Sequence, residues 1–355
     1  MPDHSSRRGA RGPRANGGAG AAPARAHWIA AVNRTSTEPE PRVVVIVLNW
    51  NGVQDTVQCL RSLQAVTYGN METIVVDNGS GRSDVAELRT WTSQVTLLEN
   101  PTNLGFSGGN NVAIRRALSD PRTDYVLILN NDVVVEPDCV GHMISTAIRQ
   151  DAGMVSPVVL TLADKKTVDR LGIVISAALL GYDMKRWEGS EPFCPSGCAA
   201  LYSRQLLEAT RVEGEYFDED FFAYAEDVDL GIRAALRGFH AALASAAVVY
   251  HKGSASTFVQ SPVSLYHRHR NTIWYLAKSV PRHSLLRHAH WIIIAQWLSL
   301  ASHLFRGRFR LILSAKLAGL HGIRRMLAKR RLIQTDGKVN VANFERLLDR
   351  RPFYR

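Results

Sequence analysis

The densest chemistry in this 355-residue sequence lies between Asp218 and Asp229. Six carboxylates, Asp218, Glu219, Asp220, Glu226, Asp227 and Asp229, fall within twelve residues and are interleaved with Phe217, Phe221, Phe222 and Tyr224. The spacing predicts a helix that starts among the acids and runs to Arg237. A helix N-terminus favours each acid by about 0.3–1 kcal/mol, so some of them are structural. Aromatic rings beside carboxylates exclude water, and desolvation raises a carboxyl group toward the range of a useful proton acceptor.

Three further segments carry polar groups at strand ends or helix starts. Leu129-Asn-Asn-Asp132 puts one carboxylate beside amide oxygens, a hard-cation site of the kind that binds Mg²⁺ through one or two protein oxygens and a substrate phosphate. Its plainer reading is an Asx turn. Val248-Val-Tyr-His251-Lys-Gly is a β-branched run ending in a histidine that would close the metal shell, although a lone histidine is more often structural. Asn103–Asn111 reads as a glycine-rich loop feeding a helix at Val112–Leu118, whose free amides suit an anion. It matches neither G-x-x-x-x-G-K-[ST] nor G-x-G-x-x-G, and a tight packing turn explains it equally well.

The elements that must position these residues follow from pattern. Val43-Val-Val-Ile-Val-Leu48 is a continuous apolar run, as in a strand buried on both faces. Similar runs stand at Thr73–Val76, Val95–Leu98, Tyr125–Leu129 and Met154–Leu160, separated by helix-length segments with apolar spacing near 3.6. Strands alternating with helices predict an α/β fold with a mainly parallel sheet. Polar residues follow three of these strands: Asn49-Trp50-Asn51-Gly52, Asp77-Asn78-Gly79-Ser80 and Asn130-Asn131-Asp132. Ligands of open α/β sheets bind beyond the carboxyl ends of the strands, so these residues predict one polar pocket.

In series, VVVIVLNWNG, DNGS, NLGFSGGNN, LNNDVVVEP and FDEDFFAYAEDVDLGIRAALRGF resemble the family 2 glycosyltransferases, in the branch of rhamnosyltransferase-like and galactofuranosyltransferase-like enzymes. The resemblance runs from about Val43 to Asn271. It implies the Rossmann-like GT-A fold and a single-displacement, inverting sugar transfer from a nucleotide diphosphate-sugar. Carried onto this sequence, it implies that Asn49, Asn51, Asp77, Asn103, Gly105, Asn110 and Asn130 bind the donor nucleotide. Asp132 would anchor a divalent metal, Mg or Mn, with His251 as second ligand. Asp227 would be the general base, with Glu226 beside it orienting the acceptor or the helix terminus, and Ser196-Gly197 would form the acceptor side. Many relatives have Asp-x-Asp where this chain has Asn130-Asn131-Asp132, which leaves a single carboxylate for the metal.

Charge divides the chain. Residues 1–42 carry seven Lys/Arg against three acids, residues 43–265 carry 17 against 26, and residues 266–355 carry 19 against three. The expected organisation is a disordered basic tail over 1–41, a catalytic domain over 42–280 and a basic helical appendage over 281–355. Within the appendage, Trp291, Ile294, Leu298 and Phe305 fall near one helical face. A second helix over Phe309–Leu327 carries Leu311, Ala315, Ala318 and Ile323 among Arg308, Arg310, Lys316, Arg324 and Arg325. Such helices lie in an anionic membrane interface, or dock on the body or on a second subunit. The apolar stretch Trp291–Phe305 is short of the ~20 residues a spanning helix needs.

The four cysteines, Cys59, Cys139, Cys194 and Cys198, lack zinc-site spacing and predict buried free thiols in a reducing cytoplasm. No apolar run follows the first arginines, so no signal peptide is expected. The implied acceptor is a glycan or a polyprenyl-linked intermediate in cell-wall or surface polysaccharide synthesis, met at the inner face of the cell membrane by a cytoplasmic or peripheral enzyme. Nucleic acid is not an expected partner, and the oligomeric state is open. The rival readings are a nucleotidyltransferase, whose glycine-rich loop would keep a basic residue that Asn103–Asn111 lacks, and a non-catalytic glycan- or nucleotide-binding protein.

Overall fold

The computed structural model describes residues 40–253, 261–335 and 339–353. Apart from its last two residues, the expected tail at 1–41 lies outside them. The first half alternates as read: β1 (Arg42–Asn49), α1 (Val53–Gln64), β2 (Met71–Asn78), α2 (Arg82–Arg89), β3 (Thr96–Asn100), α3 (Gly105–Leu118) and β4 (Thr123–Asn130). Then come β5 (Val133–Val135), α4 (Cys139–Gln150), β6 (Met154–Thr161), β7 (Val168–Arg170), β8 (Ile173–Ile175) and β9 (Gly181–Asp183). The body continues with β10 (Ala199–Ser203), α5 (Arg204–Thr210), α6 (Glu226–Leu236) and β11 (Ala241–His251).

The main sheet has the order β3-β2-β1-β4-β10-β6-β11-β5, with β7 beside β6. Neighbours run parallel from β3 to β4 and again between β6 and β11, while β10, β5 and β7 are reversed. Both faces are covered, which explains the unbroken apolar runs. Val44 and Ile46 pack with Ile114 of α3 on one face, and Val43, Val45 and Val47 with Leu60 of α1 and Met143 of α4 on the other. The strand order reverses between β1 and β4. Their carboxyl ends, Asn49 and Asn130, therefore flank the crevice where an open α/β sheet takes its ligand.

One expectation at this crevice needs correcting. The glycine-rich stretch is not a loop before a helix at Val112, because α3 already begins at Gly105. A Cβ on Gly109 would come within 2.6 Å of Leu48, and one on Gly108 within 2.8 Å of Leu104. Gly109 lets the helix lie directly on the sheet, and Gly108 lets the chain turn tightly into the helix from Leu104. Gly105 has φ +73°, and a Cβ there would come within 2.3 Å of the Phe222 carbonyl oxygen.

The C-terminal helices are α7 (Pro262–Lys278), α8 (Arg282–Arg287), α9 (Ala289–Phe305), α10 (Phe309–His321), α11 (Ile323–Gln334) and α12 (Val341–Leu347). The single helix expected over Phe309–Leu327 is broken at Gly322, where a Cβ would come within 2.8 Å of the Trp274 indole. That indole N–H donates to the Gly319 carbonyl at 3.0 Å, the oxygen that would otherwise take the Ile323 N–H.

These helices are tied to the body by buried charge. Lys278 Nζ lies 2.7 Å from both Asp218 and Asp229, and Lys329 Nζ lies 2.6 Å from Asp218 and 2.9 Å from Asp220. Burial pushes the Asp218 carboxyl up, but Lys278 and Lys329 outweigh it and hold the group below its ordinary value. Removing one partner of a buried pair typically costs about 3–5 kcal/mol. Lys329→Met should therefore lower unfolding free energy by that order in urea titrations at neutral pH. The lowered Asp218 value contributes stability above its unfolded pKa, about 3.9, and loses it as pH falls. The gap between wild type and variant should accordingly narrow below about pH 4. An unchanged midpoint for the variant would overturn the assignment.

Candidate active site

The carboxyl-end crevice begins with loops that hold one another. Asn49 is fully buried. Its Nδ2 donates to Asp77 Oδ1 at 3.0 Å and to Ser80 Oγ at 3.1 Å, and its Oδ1 accepts from Thr56 at 2.7 Å. Asp77, also buried, accepts the Ser80 N–H at 3.1 Å. Asn51 is exposed, and its side chain takes the Gly81 N–H at 3.0 Å. Asn103 accepts from Asn78 at 3.0 Å and from the Gly105 N–H at 2.8 Å. Asn110 is buried and donates to the Phe106 carbonyl at 2.9 Å. Among the expected nucleotide contacts, Asn49, Asp77 and Asn110 thus shape the pocket from within, whereas Asn51, Asn103 and Asn130 are partly or fully accessible. The Ser107 amide donates to the Phe222 carbonyl, so α3 has less free donor capacity than an open loop would offer.

At the other end, β11 carries His251 to β5, which follows directly on Asp132. His251 Nε2 lies 3.3 Å from Asp132 Oδ1, and Nδ1 lies 2.9 Å from Asp169 Oδ2. Burial opposes the charged ring, but Cys198, Asp132 and Asp169 around it outweigh burial and raise it to about 12. Among the described residues no group of three or more His, Cys, Asp or Glu side chains is arranged to hold a metal ion by itself. Asp132 and His251 still suit a divalent cation. They converge on one point, and the second ring nitrogen meets a carboxylate, as is usual behind a metal-bound histidine. The rest of the shell would fall to a donor diphosphate and water.

The base side is built by α6 and β10. Asp227, half-buried at the start of α6, accepts the Gly197 N–H at 3.1 Å and the Val228 N–H at 2.8 Å. Burial raises its carboxyl above the ordinary value, against those two amides. Glu226 is buried, and its Oε2 has no hydrogen-bond partner among the described residues. Burial first, then the adjacent Asp227 charge, push its carboxyl well above the ordinary value. The two acids thus differ in environment: Asp227 touches the Ser196-Gly197 element, and Glu226 faces inward.

The turn ahead of them is strained. Phe222, Tyr224 and Ala225 have φ of 63°, 70° and 66°, the left-handed region that side chains disfavour. Asn271 of α7, fully buried, spans this turn and donates to the carbonyls of Phe221, Ala223 and Tyr224 at 3.0, 2.9 and 2.6 Å.

Two residues link the ends of the site and were not singled out from sequence. Arg170 Nε donates to Asp169 at 2.9 Å, and its Nη1 donates to Ser196 Oγ at 3.2 Å. A continuous polar chain therefore runs from Asp132 through His251, Asp169, Arg170 and Ser196-Gly197 to Asp227. Asp169 and Arg170 form a three-residue edge strand with Val168, and an Asp-Arg pair in sequence reads as an ordinary surface ion pair. Asn271 left a better signal, a poor helix former in the middle of a 17-residue helix.

Comparison with known proteins places this geometry. The family model described as Glycosyl transferase family 2 matches residues 43–211. The Low-salt glycan biosynthesis hexosyltransferase Agl10 of Haloferax volcanii is 24% identical over 297 residues, covering 80% of this chain and 92% of that protein. The N-acetylglucosaminyl-diphospho-decaprenol L-rhamnosyltransferase of Mycobacterium tuberculosis is 28% identical over 281 residues, covering 69% and 86%. Among solved structures, the mannosyltransferase PcManGT from Pyrobaculum calidifontis, in complex with GDP-Man and Mn²⁺, aligns with TM-score 0.53 at 19% identity, covering 86% of this chain and 90% of that one. S. aureus TarS 1-349 aligns with TM-score 0.51 at 15% identity, covering 83% and 90%. At these identities the two structures speak for the fold, which is GT-A-like.

Asp169 yields a test that needs no turnover. Loss of the carboxylate behind a metal-bound histidine typically weakens metal affinity about 10–100-fold. Asp169→Asn should weaken Mn²⁺ binding by that order in electron paramagnetic resonance titrations with nucleoside diphosphate present. Equal affinity in wild type and variant would show that Asp169 does not orient His251.

Proposed function

We propose that this chain, whose residues 43–211 match the Glycosyl transferase family 2 model, is a member of that family and moves a sugar from a nucleotide diphosphate-sugar to an acceptor hydroxyl by single displacement with inversion. The observation that carries this reading is the polar chain joining Asp132–His251 to Asp227 along one edge of the sheet. The donor lies across the β1–β4 crevice, over Asn51, Asn103 and Asn130, with Asn49, Asp77, Gly105 and Asn110 shaping the floor. Asp132 and His251 would hold Mg²⁺ or Mn²⁺, which when bound would offset charge on the departing diphosphate.

Asp227 takes the acceptor proton as the hydroxyl oxygen bonds to the anomeric carbon and the sugar–phosphate bond breaks. Its raised carboxyl suits this role, because a stronger base at neutral pH accepts the proton more readily. Gly197 N–H fixes the carboxylate's direction, and Ser196, held by Arg170, lines the acceptor side. Glu226, buried and inward, supports the start of α6. The acceptor is a glycan or a polyprenyl-linked glycan in cell-wall or surface polysaccharide synthesis. The names of the two curated relatives, a glycan-biosynthesis hexosyltransferase and a decaprenol-linked rhamnosyltransferase, support that class. The enzyme works at the inner face of the cell membrane, attached peripherally.

Removing a general base costs roughly 10²–10⁴-fold in rate. Asp227→Asn should lose turnover on that scale and keep donor binding, while Glu226→Gln loses less. The reverse order would transfer the role of base to Glu226. Asp132→Ala should abolish both transfer and the metal-dependent rise in melting temperature given by nucleoside diphosphate. Full activity of that variant in excess EDTA would rule out the metal assignment.

A further inference from the structure

The C-terminal helices leave an apolar face uncovered. Ile293, Trp297, Leu304 and Phe305 of α9 are exposed, Trp297 by 69% and Phe305 by 88%. Leu313, Leu317 and Leu320 of α10 are exposed as well. The two helices pair through Lys316, which donates to Gln296 at the seam. On α9, Ile293 precedes Gln296 by three residues and Trp297 follows it by one. On α10, Leu313 and Leu317 stand in the same relation to Lys316. In an antiparallel hairpin this spacing puts Ile293, Trp297 and Leu304 on the same side of the seam as Leu313, Leu317 and Leu320, while Phe305, with the exposed Ile294 and Leu298, extends the apolar surface round the outer face of α9.

The structure also corrects the face read from sequence. Of the α9 face read as Trp291, Ile294, Leu298 and Phe305, the last three are exposed and Trp291 is half-buried against the Phe353 ring; on α10 the stripe read through Leu311, Ala315 and Ala318 is not the exposed one, since Ala315 is buried, as is Lys316.

We propose that this hairpin face docks on an anionic lipid bilayer, which rests on the peripheral reading above and names the surface responsible. Charge selects the occupant. No Asp or Glu occurs from residue 266 to residue 335, and Arg306, Arg310 and Arg324 are exposed around the apolar face. Two copies packed face to face would bring these cations together, whereas anionic headgroups neutralise them. With 17 residues in α9, and no described helix long and apolar enough to cross a membrane, the face lies in the interface rather than spanning it.

The hairpin packs on α7 away from the active-site turn. The His303 ring near the end of α9 lies 5.1 Å from His269 of α7, whereas His267, two residues earlier and so on a roughly opposite face of that helix, stacks at 5.4 Å on Phe222.

The test uses the full chain and flotation with phosphatidylcholine vesicles, with and without phosphatidylglycerol. The wild type should float with anionic vesicles and be partly released by high salt. Trp297→Glu combined with Phe305→Glu should reduce that binding by about tenfold or more. Arg306→Gln and Arg310→Gln should each weaken it about fivefold, on anionic vesicles alone. All variants should keep the wild-type melting temperature and its rise with nucleoside diphosphate and Mn²⁺. That control separates failure of this proposal from failure of the donor reading. A wild type that ignores anionic vesicles, or a double variant that floats equally well, overturns the proposal. So does a dimer in sedimentation that the double variant disperses, which would assign the face to a second copy.

Discussion

Asp229 is a carboxylate with no exposure to water, two residues beyond Asp227 on the same helix. Burying an ion without partners is prohibitive, so its charge must be met inside the protein. Arg233 one turn later donates at 3.0 Å, Lys278 at 2.7 Å and Ser279 at 2.6 Å. Arg233 also donates to the carbonyls of Thr210 and Tyr216, which fastens the approach to the acidic segment. The position of α6, and hence the direction of Asp227, follows from satisfying that single charge. Lys278 comes from the end of α7, and Lys329 from α11 completes the set around Asp218. The basic C-terminal helices thus supply the counter-charges for the acidic segment that begins at Asp218.

Much of this was legible in the sequence because it rests on short-range pattern. The strands of the first half are continuous apolar runs, and a sheet covered on both faces leaves no other reading of Val43–Leu48. Asp132, His251 and Asp227 stand at strand ends or a helix start, where polar residues following apolar runs mark themselves. Hidden features depended on contacts distant in sequence. Asp169 matters because it faces a histidine 82 positions away, and nothing local to Val168–Arg170 indicates that. The glycines of α3 looked like a loop because local propensity disfavours them in helices. Their reasons are close neighbours distant or local in the chain: the Phe222 carbonyl at Gly105, Leu104 at Gly108 and Leu48 of the sheet at Gly109. Trp291 misled for a related reason, since a helical wheel shows which residues share a face but not which face meets Phe353.

The acids after Phe222 show how a fold maintains an unfavourable backbone. Three non-glycine residues with positive φ in four positions store strain of order 1–3 kcal/mol each. Asn271 compensates with one amide group that satisfies three carbonyls, and Arg270 adds donations to the Asp220 and Phe221 carbonyls at 3.1 and 2.9 Å. The donors come from α7, the same helix that delivers Lys278 to Asp229. One helix therefore holds both the strained turn and the helix that follows it.

Phe222 gives this arrangement a mechanical character. Its carbonyl holds the Ser107 amide, its backbone fills the space a side chain at Gly105 would need, and its ring rests on His267. The α3 helix, the turn before α6 and the α7 helix meet at this one residue, as three beams meet at a pin. A substitution that shifts Phe222 would therefore disturb both sides of the crevice at once.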